Sequence, residues 1–268
     1  MREFENAPPP LPPPAPWQRL KKWLGPIAIA LVLLFKFGAK LKFLIIPLLK
    51  LLPVALKTGG TMFLSVWLYA MQWGWWFALG FVLLMLVHEC GHLVAARRVG
   101  LKVGAPVFIP FIGAFIALKD APHNAWIEAQ VAIGGPLLGA AGALACDGLF
   151  LLTGQPLFRA LAYSGFLLNL FNLIPVGFLD GGRIAKALSP WLWVLGAAVM
   201  VAMLFHHFNI LLLIVLVLAV PQLIALFRRR TPEEQRWFEV APGQRQFLAL
   251  LYFGLMGLLA LGLRMTQL

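Results

Sequence analysis

Apolar runs of membrane length alternate with short basic or glycine- and proline-containing breaks along most of the chain. Residues 24–57 are apolar but interrupted by Lys36, Lys40, Lys42, Lys50 and Lys57, with Pro47 and Pro53. This pattern fits one short span or a pair of interfacial helices. Residues 60–73 form a second apolar segment that ends at Gly74. A longer helix is predicted over 75–98, closed by Arg97 and Arg98. From 100 to 120 the pattern changes: glycines and prolines recur, β-branched and aromatic residues fill the gaps, and Lys102 and Lys119 bracket the stretch. It reads as a strand pair or a re-entrant loop. Helices are then expected at about 125–152, 156–174, 189–205, 208–227 and 246–263, with 228–245 as the largest polar loop.

Composition turns this pattern into a fold class. The 268 residues are 61% hydrophobic and only 12% charged, against about 25% charge in a soluble domain. The runs reach the roughly 17–25 residues that cross hydrocarbon. We therefore expect an all-α polytopic membrane protein: a three-helix core with a short membrane-associated β or re-entrant segment and flanking transmembrane helices. It divides into a proline-rich tail (1–23), N-terminal membrane or interfacial segments (24–73), an intramembrane core (74–187) and C-terminal transmembrane helices (188–268). The tail, acidic and then proline-rich, lacks the layout of a cleaved signal peptide and reads as an extended spacer.

The net charge of +12 changes the picture only in detail. Basic residues sit mostly at the ends of apolar runs, where they orient helices and meet lipid headgroups, so no nucleic-acid partner is expected. If Arg97, Arg98, Lys102 and Lys119 are cytoplasmic, then Arg183, Lys186, Arg228, Arg229, Arg230, Arg236 and Arg245 fall on the same side. Only Arg159, His206, His207 and Arg264 fall on the other. The expected setting is a bacterial-type inner or plasma membrane. Cys90 and Cys146, the two cysteines, imply no disulfide framework and read as packing residues.

Against this background MLVHECGHLVAARR (85–98) stands out, because ionisable residues at membrane depth are costly and mark function. A His-Glu-x-x-His pattern arises by chance in a chain of this composition at about 0.2%. Positions i and i+4 share a helix face, so His88 and His92 can present both imidazoles to one metal ion. Glu89 can reach an attacking water as general base. Counting back from Arg97 places the pair about 13 Å inside the boundary.

A catalytic zinc needs a third protein ligand, and the chain has few. Asp120 belongs to the surface of the irregular segment, Asp147 to the far end of its helix, and Glu128 to a helix start. His206 and His207 fall on the opposite face. Asp180 follows an inward-running helix in FNLIPVGFLDGGRI (171–184), where Pro175, Gly177, Gly181 and Gly182 break the helix and free the backbone. It can return to the depth of His88.

HECGH followed by NLIPVGFLDGG resembles the site-2 protease family of intramembrane zinc metalloproteases, peptidase family M50, over about residues 75–187. The resemblance implies one Zn2+ per chain held by His88, His92 and Asp180, Glu89 as general base, and Asn172 as a group that binds substrate backbone or the developing oxyanion. It also implies a membrane-associated strand after the first motif helix, which PVFIPFIGAFIAL (106–118) matches in position. The substrate would be a single-pass or other membrane protein, cleaved in or near a transmembrane segment. VAIGGPLLG (131–139) carries the expected Gly-Pro but no Asn after Pro136, leaving that helix a packing role. No insert is long enough for a PDZ or CBS domain. Two alternatives remain at this point: a Ste24/HtpX-like membrane zinc protease with Glu128 as third ligand, or a non-proteolytic membrane scaffold that retains a metal site. A rhomboid-type serine protease is disfavoured, since AYSG (162–165) lacks that family's first glycine.

Overall fold

The computed structural model describes residues 58–267 except 112 and 119. The tail and the lysine-punctuated segment up to residue 57 lie outside the described residues. The first helix, α1 (Thr58–Trp73), runs into α2 (Trp75–Arg98) across Gly74. That glycine takes φ 82°, a conformation costly for any residue with a Cβ. The stretch read as a strand pair or re-entrant loop is an antiparallel hairpin, β1 (Val103–Ile109) with β2 (Gly113–Leu118). Ile109 pairs with Gly113 and Phe108 with Ala114, and the ladder is irregular between Val103 and Pro106. A proline, lacking an N–H, interrupts a ladder in this way. Asp120 closes the base of the hairpin by accepting from Lys102 N at 3.3 Å.

Helix α3 (Ala125–Thr153) is capped by the Asn124 side chain, which accepts from Ile127 N, and ends at left-handed Gly154. Helices α4 (Pro156–Asn172), α5 (Asp180–Leu188), α6 (Leu192–His206) and α7 (Ile210–Ala225) follow. The polar loop at 228–245 contains a short helix, α8 (Pro232–Trp237), closed by a Thr231–Glu234 capping box. It also contains the start of α9 (Pro242–Met265). That helix begins four residues before the expected 246, because Pro242 occupies the first turn, where its fixed φ favours a start.

Two boundaries differ in a way that matters for function. The helix expected over 156–174 stops at Asn172, and Asp180, after the broken stretch, is the first residue of a further helix, α5. The apolar pattern is too short there to signal a nine-residue helix rich in glycine.

Helix α3 is central and packs against α2, α4 and α5, while α9 covers α4 and also touches α3 and α5. The interior joins Ala125, Ala129, Ala132, Ala140 and Ala143 of α3 with Ala162 and Phe166 of α4 and Tyr252, Leu255 and Leu259 of α9. Small residues let helix backbones approach closely, which in lipid replaces the hydrophobic drive between helices. One such close approach is at Gly91 of α2, where an added Cβ would lie 2.1 Å from Gly134 O. The outer faces carry large apolar side chains such as Leu151, Leu152, Phe205 and Phe208, as a lipid-facing surface does.

Helices α2, α3 and α9 are long and apolar enough to cross a membrane, and α6 and α7 are shorter apolar helices. The described residues form the expected all-α polytopic membrane fold with its short β segment.

Candidate metal centre

The site is assembled from the middle of α2, the start of α5 and the wall formed by α3 and α4. One helical turn sets His88 and His92 on the same face of α2. Their Nε2 atoms are 3.1 Å apart, and each lies 3.2 Å from Asp180 Oδ2. All three side chains are buried, and together they form a group able to hold a metal ion.

The orientation of each ring is fixed from behind. The Nδ1–H of His88 donates to Asn169 Oδ1 at 2.8 Å, and the Nδ1–H of His92 donates to Val131 O at 2.9 Å. Asn169 in turn donates from Nδ2 to Gly165 O at 2.7 Å, which settles which end of its amide faces the histidine. With protons on Nδ1, both imidazoles present the Nε2 lone pair, the arrangement that metal-binding histidines need.

The donor set fits zinc. Two neutral imidazoles and one carboxylate are a familiar three-ligand set for catalytic zinc, with a fourth position left open. Ligand atoms about 2.0–2.1 Å from a tetrahedral zinc are separated by about 3.3 Å, close to the 3.1 and 3.2 Å spacings here.

Asp180 reaches this depth on an irregular backbone whose carbonyls, with one in the first turn of α5, are met by side chains of neighbouring helices. At membrane depth such backbone persists only where it is buried in protein or lines a cavity. Tyr252 Oη of α9 donates to Leu173 O, Gln222 Nε2 of α7 donates to Gly177 O at 2.9 Å, and Trp193 Nε1 of α6 donates to Gly182 O at 2.9 Å. Three helices thus hold one turn. The two glycines after Asp180 allow the compact fold: a Cβ on Gly181 would lie 2.1 Å from Leu173 O, and one on Gly182 2.5 Å from Gly177 O.

Glu89 and Asn172 face the same cavity, of about 720 Å³, with His88, His92 and Asp180. Glu89 is buried. Asn172, the last residue of α4, is half-buried. The remaining wall is largely apolar, with Phe81, Met85, Leu168 and Phe171 from the helices and Leu211 and Val215 from α7; Phe111, Gly113 and Ala114 bring the hairpin to its edge.

Glu128, the alternative third ligand, is engaged elsewhere. Lys186 Nζ lies 2.9 Å from both its oxygens, and Arg183 Nε lies 3.5 Å from Oε1. Asp147 is not part of the metal-binding group.

Helix α3 does more than pack. Val131 O orients His92, a Cβ on Gly135 would lie 2.3 Å from His92 Nε2, and one on Gly139 would lie 2.0 Å from Asn169 Oδ1. The Gly-Pro stretch therefore makes room for the site. Sequence reasoning missed Asn169. Its signal was an amide in an apolar helix, three residues before Asn172 and so on the same face.

Residues 76–164 match the family model described as Peptidase family M50. The core of this chain is similar to that family over these residues. The match includes HECGH and bears out the site-2 protease resemblance, whereas the Asp180 turn lies beyond it and stands on geometry. A zinc metalloprotease of Methanocaldococcus jannaschii is 32% identical over 135 residues, covering 47% of this chain and 37% of that protein. The "probable zinc metalloprotease EGY2, chloroplastic" of Arabidopsis thaliana is 30% identical over 152 residues, covering 40% of this chain and 27% of that protein. The matches thus span less than two fifths of these relatives' length. Among solved structures, the site-2 protease from Methanocaldococcus jannaschii aligns with a TM-score of 0.41 and 20% identity, covering 68% of this chain and 88% of that one.

Proposed function

We propose that this protein is an intramembrane zinc metalloprotease that hydrolyses peptide bonds in or near transmembrane segments of other membrane proteins, as in regulated intramembrane proteolysis. The observation that carries the reading is the convergence of His88, His92 and Asp180 beside Glu89 in one cavity among helices of membrane length.

A zinc ion held by the three side chains supplies Lewis acidity to the scissile carbonyl and to water. Glu89 takes the proton of the attacking water on its carboxylate and passes it to the leaving amine. The Asn172 carboxamide donates a hydrogen bond to the carbonyl oxygen as negative charge develops there. The apolar wall takes the side chains of an extended peptide. The hairpin at the cavity edge offers main-chain partners to a substrate segment that has left its helix.

The substrate in this reading is a single-pass or other membrane protein. The basic end of the bundle, with Arg183, Lys186 and Arg245, faces the cytoplasm of a bacterial-type inner or plasma membrane under the positive-inside rule, and water reaches the site from there.

The test compares the full chain with Glu89→Gln in reconstituted vesicles and in cells, using zinc content and membrane proteomics. The expected result is unchanged zinc binding, loss of cleavage, and accumulation of uncleaved single-pass proteins. Cleavage retained by Glu89→Gln would overturn the reading.

A further inference from the structure

The Asp180 carboxylate is divided between two tasks. Its Oδ2 faces both histidine Nε2 atoms at 3.2 Å, while its Oδ1 lies 3.6 Å from Arg183 Nη1. Arg183 is three residues further along α5, on the same helical face, and its Nε lies 3.5 Å from Glu128 Oε1 on α3. The guanidinium therefore spans two carboxylates from two helices, one of them in the metal-binding group. Glu128 is anchored by Lys186 through both oxygens at 2.9 Å, and Lys186 Nζ sits 5.4 Å from the centre of the Trp237 ring on α8.

We propose that Arg183, set in place by Glu128, is a positioning residue that fixes which oxygen of Asp180 faces the metal. The inference rests on the metal site proposed above. Neutralising Glu128 does not account for Arg183, because Lys186 already holds both Glu128 oxygens. Among the described residues, Arg183 is the only lysine or arginine paired with Asp180. A planar guanidinium presents several donors in a fixed fork, so one side chain can hold Oδ1 while leaning on Glu128. The carboxylate is then kept monodentate. Without that hold it is free to rotate, to chelate through both oxygens, or to turn from the histidines. Arg183 and Glu128 also line the cavity, so the ion pair forms part of its wall and is partly shielded from solvent.

The test uses the full chain in detergent or nanodiscs and follows zinc affinity by chelator competition and ligand geometry by the visible spectrum of the cobalt(II) form. Arg183→Ala is expected to weaken zinc binding about ten- to hundredfold, the usual cost of removing a partner behind a metal ligand, and to shift the cobalt spectrum. Arg183→Lys restores part of the affinity. Glu128→Gln gives a smaller loss, and its combination with Arg183→Ala binds no more weakly than Arg183→Ala alone, because the two act through one contact. Zinc affinity within about twofold of the parent, with an unchanged cobalt spectrum, overturns the proposal. Should Arg183→Ala fail to fold, Arg183→Lys and Glu128→Gln carry the same comparison. If the parent does not bind zinc, or Asp180→Asn binds it as the parent does, the metal-site reading fails and this inference with it. If the parent binds and Arg183→Ala is indistinguishable, only this inference fails.

Discussion

The Nδ1–H of His88 donates to Oδ1 of Asn169 at 2.8 Å, across 81 residues of chain and between two helices. Because Asn169 also donates to Gly165 O, the amide is held at both ends and cannot flip without losing both bonds. Replacing it with alanine leaves His88 on the correct helix face but free to rotate and to change tautomer. Asn169→Ala is therefore expected to lower zinc affinity about ten- to hundredfold, with little change in helix content. Chelator competition and circular dichroism on the same preparation check both halves of the statement. Unchanged affinity would show that packing alone orients the ring.

Gly135 provides a steric test of the same site from the opposite wall. An added Cβ would stand 2.3 Å from His92 Nε2 and 2.8 Å from His88 Nε2, so both rings, each tied at Nδ1, would have to shift from the metal-binding arrangement. Gly135→Ala is expected to abolish stoichiometric zinc binding. Gly148 lies on the same helix with nothing within 4 Å of its would-be Cβ. Gly148→Ala should leave zinc binding intact and stabilise the protein by about 0.5–1 kcal/mol through helix propensity. Equal zinc content in the two variants would remove the assigned role of Gly135.

These two residues show where the sequence was readable and where it was not. His88, Glu89 and His92 announced themselves because five consecutive positions on one helix carry the chemistry, and helical spacing alone places the ligands together. Asp180 was legible through the glycines and proline that break the helix before it. That it opens a helix was not, because α5 is short and its first turn is DGGR. Asn169 sits in an ordinary apolar pattern and acquires meaning only when α4 is laid against α2. Val131 contributes a carbonyl, which every residue has, so no residue type could signal it. The ion pairs among Glu128, Arg183 and Lys186 joined positions that the sequence sorted correctly to one end of the bundle but could not pair.

The turn that delivers Asp180 depends on Tyr252. Its hydroxyl satisfies Leu173 O, just past the end of α4, and the side chain is buried. Tyr252→Phe removes the donor, keeps the ring, and leaves a buried carbonyl without this partner. The expected cost is about 1–3 kcal/mol of stability, read as a lower thermal or denaturant midpoint. Since Leu173 also abuts Gly181, the same variant should weaken zinc binding as the turn loosens. A variant as stable as the parent would mean that water or a shifted neighbour replaces the hydroxyl.

The turn of the hairpin at the cavity edge is bonded to an aromatic side chain on α1. Phe111 has φ 63°, unfavourable for a bulky non-glycine residue. Its N–H donates to Tyr69 Oη at 2.9 Å, and the two rings meet edge to face at 5.2 Å. Tyr69→Phe retains the ring contact and deletes only the acceptor. A hydrogen bond of this kind contributes about 0.5–1.5 kcal/mol, so the Phe111 amide is expected to exchange with solvent about two- to tenfold faster. Zinc affinity should stay unchanged, because Tyr69 lines the cavity but does not contact His88, His92 or Asp180 through a hydrogen bond. Hydrogen exchange read by mass spectrometry across the hairpin, paired with chelator competition, separates the two effects. Faster exchange at the turn with a constant metal site would establish that α1 sets the order of the cavity edge independently of the metal. Unaltered exchange would instead assign the unusual backbone of Phe111 to the ring packing that Tyr69→Phe preserves.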